Sequence, residues 1–257
     1  PNPVGAEVCD GFDNNCNGQV DEGNPGGGAA CVTGAPGVCS PGTLTCQAGM
    51  LACIANASQG AEKCDMPGDE NCNGASATVF FSETFASNAA GWTLDTEWQI
   101  GPTLVSMGQN YGNPDPAADH SATADNGVAG VVLGGNASQS MQHPFRWLTS
   151  PSIPVDASAT SVYLQFWRWL NSDFSPWMTN RVEVFDTVSN TWKLVWQSGN
   201  SPGITDAAWT KQVYDISASS KGGSIKVRFG FNIQANGAFM VSQWNVDDVV
   251  ITTEPCD

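Results

Sequence analysis

Two short stretches of this 257-residue chain carry side chains spaced to hold a metal ion. In the first, Asp13, Asn15 and Asn17 occupy alternate positions, Gly18 permits a sharp turn, and Gln19 offers a backbone carbonyl. Oxygens alternating along such a turn converge on one hard cation, and calcium is the expected occupant. Asp10, Asp21 and Glu22 are at hand to complete the shell with a carboxylate, and Val20 is expected to pack inward. The second stretch is a copy of the first: Glu62-Lys63-Cys64-Asp65 leads through Asp69, Asn71 and Asn73 to Gly74, as Glu7-Val8-Cys9-Asp10 leads to Gly18. Its Ala75-Ser76-Ala77 lacks the apolar position and the closing acids, so this site is expected to be weaker or shared with residues from elsewhere.

Eight of the nine cysteines fall at or before Cys72. That density marks a disulfide-stapled exported module, and zinc is disfavoured because no Cys-x-x-Cys or Cys/His pair is present. Spacing favours Cys9 with Cys16 and Cys64 with Cys72, each closing an acidic loop; Cys31, Cys39, Cys46 and Cys53 then pair within the Gly-rich middle. Glu254-Pro255-Cys256-Asp257 repeats the Glu-x-Cys-Asp opening. A third copy is therefore expected to begin there, inside a longer polypeptide, with Cys256 as the odd cysteine; a free or intermolecular thiol is the alternative. The start at Pro1, without Met or leader, fits a processed piece of an exported precursor.

The run from Glu7 to Glu22 resembles the MopE-type metal-binding repeat of exported bacterial proteins. Cys31, Gly37-Val38-Cys39, Gly42 with Cys46, and Gly49 with Cys53 look like the spacer between its copies. The resemblance implies export and metal-loop scaffolding. Copper chemistry does not carry over, because these loops hold no histidine and no methionine other than Met66.

From Val79 onward the texture changes to strands separated by Gly, Asn, Asp and Pro turns. Ile225, Val227, Phe229, Phe231 and Ile233 alternate with polar residues or glycine, the pattern of a half-buried strand. Trp192, Leu194 and Trp196 repeat that alternation. Val162 to Leu170 is apolar on both faces, which predicts a central strand with its outer face covered. The expected fold is all-β: a jelly-roll sandwich over 79–253, preceded by a disulfide-rich calcium-loop module over 1–76 with little regular structure, and succeeded at 254–257 by the next repeat.

The ordered series Phe81-Ser82-Glu83, Gly91-Trp92, Glu97-Trp98, Asp119-His120, Leu148-Thr149-Ser150-Pro151, Leu164 to Trp167, Trp209 and Asn245 to Val249 resembles the MAM domain and the related jelly rolls of immune inhibitor A. MAM domains usually carry cysteines, and this stretch has none before Cys256. The resemblance implies a structural cation held by Glu83, Asp119, Asp247 and Asp248.

Acids outnumber bases 25 to 9, a net charge of −16 that repels phosphate backbones and anionic lipid. No apolar run approaches the roughly 20 residues of a membrane span. Nucleic acid and direct membrane insertion are thus not expected as partners. The two histidines, His120 and His143, and the lack of a His-Glu-x-x-His or Gly-x-Ser-x-Gly motif leave little for catalysis, and no catalytic residue is assigned. Trp147, Trp167, Trp169 and Trp177 are expected to cluster about Phe174 and Arg168, with Phe174 and Trp177 as the exposed ligand or partner surface. Asn56-Ala57-Ser58 and Asn136-Ala137-Ser138 are glycosylation sequons by pattern alone. Together these features predict a secreted or cell-surface adhesion or structural module that contacts other proteins or itself, or alternatively polysaccharide.

Overall fold

The computed structural model describes residues 5–64, 66–121, 123–137 and 141–257; Asp65 of the second loop and Ser138 of the second sequon lie outside the described residues. The chain divides into two compact units, Pro1–Ala77 with Cys256–Asp257, and Thr78–Pro255.

In the first unit, β1 (Ala30–Val32), β2 (Pro41–Gln47) and β3 (Met50–Ala55) form a three-stranded antiparallel sheet. Ala48 and Gly49, at φ 49° and 81°, make a two-residue hairpin turn that pairs Gln47 with Met50. This register sets the crosslinks. Cys31 lies opposite Gly42, where a Cβ would come 2.7 Å from the Cys53 sulfur, so glycine leaves room for the Cys31–Cys53 bridge across β2. Cys9 bonds Cys46 of β2, Cys39 bonds Cys72, and Cys64 bonds Cys256.

These pairings correct the expectation from spacing. Neither Cys9–Cys16 nor Cys64–Cys72 forms, and Cys16, not Cys256, is the odd cysteine. The loops need no sulfur to close them. A glutamate does so instead: Glu7 accepts the backbone N–H groups of Asn15 (2.7 Å) and Asp21 (3.2 Å), and Glu62 accepts those of Asn71 (3.3 Å) and Ala77 (2.9 Å). Cys9, Cys72 and Cys64 are thereby free to reach the sheet, the Gly37–Cys39 turn and the C-terminal residues respectively.

The second unit is a jelly-roll sandwich of two antiparallel sheets. Its strands are β4 (Val79–Glu83), β5 (Thr93–Leu94), β6 (Trp98–Pro102), β7 (Gly127–Val131), β8 (His143–Thr149), β9 (Ile153–Pro154), β10 (Tyr163–Ser172), β11 (Met178–Asp186), β12 (Thr191–Gln197), β13 (Ile204–Thr205), β14 (Thr210–Asp215), β15 (Ser224–Ile233) and β16 (Gln243–Thr252). One sheet runs β13-β10-β16-β7-β6, with β14 on β10 and β4 on β16; the other runs β12-β11-β15-β8-β5, with β9 on β15. The inward rows of β15 and β10, including Phe229, Phe231, Leu164 and Phe166, meet Trp244, Val246 and Ile251 of β16 in one core. Alternation on β15 is as the sequence predicts, with Ile225, Val227, Phe229, Phe231 and Ile233 all buried.

The strand β12 departs from its predicted alternation. A bulge shifts its register between Val182 and Glu183 of β11, which pair with Trp196 and Leu194. One extra residue in a strand moves the residues beyond it to the opposite face. Trp196 therefore turns inward onto Trp244, while Leu194 stays outside, 56% exposed. The central strand β10 lies between β14 and β16, and its outer face is covered: the His120 ring stacks on Trp167 at 3.6 Å, and Trp169 Nε1 donates to the Pro114 carbonyl.

Candidate functional site

The first acidic loop is built on one carboxylate accepting two neighbouring N–H groups. Asp13 Oδ1 and Oδ2 accept from Asn17 and Gly18, and Gly18 reaches φ 92°, a conformation open to glycine and strained for other residues. The turn aims the Asn15 and Asn17 side chains at Glu22, whose Oε1 receives both amide nitrogens at 2.5 and 2.6 Å. The Asn15 hydrogen bond holds the Glu22 carboxyl below its ordinary pKa. Glu22 Oε2, by contrast, is buried without a hydrogen-bond partner.

Not every expected ligand joins this point. Asp10 accepts from Phe12 N–H and the Asn14 amide, and Asp21 from the N–H groups of Asp10 and Gly11. The Gln19 N–H donates to Asn17 Oδ1. Val20 does not pack inward but is 55% exposed, because this unit offers no apolar core to receive it. Among the described residues, Cys9, Asp21 and Cys46 form the only group of three Cys, His, Asp or Glu side chains with ligand atoms within 4.8 Å of one another. Its two sulfurs are bonded to each other, so this group is a disulfide with a neighbouring carboxylate, not a thiolate site.

The second loop keeps the frame and loses the closing acids. Asp69 accepts from Asn73 (2.9 Å) and Gly74 (2.9 Å), and Asn71 Oδ1 accepts from Asn73. The places of Asp21 and Glu22 are taken by Ala77 and Thr78. The ligand pattern of the sequence assigns no role to Glu7 or Glu62; their recurrence ahead of both loops is the signal that marks them.

In the sandwich the four expected cation residues lie on adjoining segments: Glu83 pairs with Val249 of β16, and Asp119 precedes His120. Asp247 is fully buried; its carboxylate accepts from the backbone N–H groups of His120 and Asp248, both at 2.8 Å. Burial and the neighbouring Asp248 push its pKa up to about 7. Asp248 pairs with His120 Nδ1 at 2.7 Å, which places that histidine in a packed hydrogen-bonded position. Asp119 accepts from the Thr123 hydroxyl, and Glu83 from Phe85 N–H and Trp92 Nε1.

The tryptophans do not form the expected single cluster. Trp147 is on β8, Trp167 and Trp169 are on β10, and Trp177 packs edge-on against Phe174 at 4.9 Å. The strands that carry Trp147 and the Trp167-Trp169 pair belong to different sheets. A different aromatic array crosses the outer face of the β8-β15-β11-β12 sheet. Arg181 lies over Phe145 (4.6 Å), Phe145 stacks on Trp147 (4.9 Å), and Arg228 is in contact with both Trp147 (3.8 Å) and Trp192 (3.9 Å). Glu183 ties Arg228 at 2.5 Å and Arg181 at 3.7 Å. Gly230 is required beneath it, since a Cβ there would collide with the Trp147 ring.

The family described as "Putative metal-binding motif", of the MopE copper-binding type, matches residues 1–22 and 56–77, the segments that hold the two loops. No curated protein matches the chain. Among solved structures, the chain is similar to the K1 cleaved adhesin domain of Lys-gingipain from Porphyromonas gingivalis, at 16% identity and a TM-score of 0.40, over 69% of this chain and 99% of that one. The CBM22-1 xylan-binding domain of a Paenibacillus barcinonensis protein is similar at 13% identity and a TM-score of 0.34, over 67% and 95%. No helix among the described residues is long and apolar enough to cross a membrane.

Proposed function

We propose that this chain is a secreted or cell-surface binding module that scaffolds rather than catalyses, with its first acidic loop held in shape by calcium. The reading rests on Glu22: a buried carboxylate oxygen without a partner, at the point where the Asn15 and Asn17 side chains converge beside Asp13. A hard cation matches that oxygen-rich donor set, and copper does not, because imidazole and thioether ligands are missing from it. In the sandwich, Asp247 and Asp248 are the side chains best placed to take a second cation, which would offset the cost of ionising Asp247.

Calorimetric titration with calcium tests this. One dominant site is expected, weakened at least about tenfold by Glu22→Gln. Chelation should also lower the melting temperature. Binding that ignores Glu22→Gln would overturn the loop assignment.

A second reading, polysaccharide binding, is favoured by the Phe145-Trp147-Arg228-Trp192 array, since flat rings on a sheet face stack on sugars. Polysaccharide pull-down lost in Trp147→Ala but kept in Trp177→Ala would select that face over the Phe174-Trp177 loop. Calcium-dependent self-association without any sugar would instead support scaffolding through protein contacts.

A further inference from the structure

We infer that Cys16 is the acceptor for a disulfide from the Gly-x-Cys turn of another repeat of this kind, docked on the first loop as Gly37–Cys39 is docked on the second. The twin loop carries the inference, because the equivalent residues already hold such a partner in this molecule. Cys16 and Cys72 occupy the same place: φ is 57° and 55°, Asn-Gly comes directly after each, and the aspartate three residues before each accepts the same pair of N–H groups. Around Cys72 the face is covered. Cys72 is bonded to Cys39, Val38 N–H donates to the Asp69 carbonyl at 3.1 Å, and Gly37, at φ 59°, lies so close to Asp69 that a Cβ would collide with that carbonyl oxygen. Cys16, by contrast, is exposed and has no such partner among the described residues.

The other eight cysteines are paired with one another, and Cys39 is already committed to Cys72. A partner of the kind that Cys72 has would therefore reach Cys16 from a further repeat, whichever polypeptide carries it. The second loop sets the chemistry it must present: a cysteine preceded by a residue with a free N–H, and before that a glycine able to reach positive φ.

The test uses the intact chain and a synthetic peptide of residues 35–41, its cysteine activated as a mixed disulfide with thionitrobenzoate. The Cys16 thiolate attacks the peptide sulfur, a new S–S bond forms, and thionitrobenzoate leaves as a thiolate, with no net oxidation. Its absorbance reports the rate. The peptide is expected to react at least about fivefold faster than versions carrying Gly37→Val or Val38→Pro, which remove the close approach and the backbone donor. Cys16→Ser should abolish the reaction with all three. Equal rates for the three peptides would overturn the inference and leave Cys16 as an exposed thiol without a docking face.

Discussion

Among the described residues of the cysteine-rich unit, the only buried apolar side chains are the half-cystines Cys39 and Cys256, whereas the sandwich buries Phe85, Phe166, Phe229, Phe231, Trp244 and a layer of aliphatics around them. The two units thus meet the entropy cost of folding by different means. The sandwich removes apolar area from water. The smaller unit has too little apolar surface for that, and relies on four crosslinks together with carboxylates that accept backbone N–H groups inside loops. A unit of the second kind should be sensitive to reductant and to substitution of single acids, and indifferent to changes that would wreck a core.

The largest effect expected from this contrast is that of reduction. Each native disulfide of a small domain is worth about 2–5 kcal/mol, so losing four should unfold the first unit outright. Limited proteolysis under dithiothreitol should cut within residues 5–77 and leave a fragment covering 78–255. If both units became sensitive at the same reductant concentration, this division of labour would fail.

Next in size is Phe229→Ala, which opens a cavity between Phe166, Trp92 and Trp244 and should cost about 3–5 kcal/mol. Denaturant titration should place that loss entirely in the sandwich transition. The calcium affinity proposed for the first loop should not change, and a parallel loss there would show the two units to be one cooperative structure.

A smaller and pH-dependent effect is expected at Asp115. Its side chain is buried, Oδ1 accepts from the Asn245 amide at 2.6 Å, Oδ2 has no partner, and burial pushes the pKa up to about 7. A carboxyl that binds its proton more tightly in the folded state stabilises fully below its unfolded pKa of about 3.8. That stabilisation is lost as pH rises toward 7. Asp115→Asn has no proton to lose, so it should gain on the wild type between pH 4 and 8, by up to about 4 kcal/mol at the alkaline end. Melting temperatures across that range decide it: parallel curves for the two proteins would mean that Asp115 is ionised and compensated in the fold.

The parts of this structure legible in the sequence are those governed by local periodicity or repetition. Alternation from Ile225 to Ile233 gives the inward face of β15 directly, because successive side chains on a strand point to opposite faces. The doubled Asp-x-Asn-x-Asn-Gly pattern locates both loops and the missing closing acids of the second, and the apolar run at Val162 to Leu170 foretells a strand covered on both sides. Pairing of the cysteines is not legible. It depends on where the β2-β3 hairpin carries Cys46 and Cys53 and on where the chain returns at Cys256, which are long-range facts that spacing does not encode. Sequence proximity misgroups the tryptophans for the same reason, since Trp147 and the Trp167-Trp169 pair end up on strands of different sheets. Glu7 and Glu62 are a different case: their recurrence is visible in the sequence, but a glutamate outside the ligand pattern carries no local sign that it clasps the loop.

The smallest expected effect tests the bulge in β12, the one place where a sound periodicity argument gives the wrong face. If Trp192, Leu194 and Trp196 shared one buried face, truncating any of them would cost core packing energy of about 2 kcal/mol or more. Because the register shifts between Val182 and Glu183, Leu194 stays in solvent while Trp196 enters the core. Leu194→Thr suits the β-branched preference of a strand and removes only exposed apolar surface, so it should change stability by less than about 0.5 kcal/mol. A loss several times larger in chemical denaturation would mean that Leu194 is covered in solution, either by a straightened β12 or by a second molecule laid on this face; a concentration series of the same measurement separates the two, since only the latter depends on protein concentration.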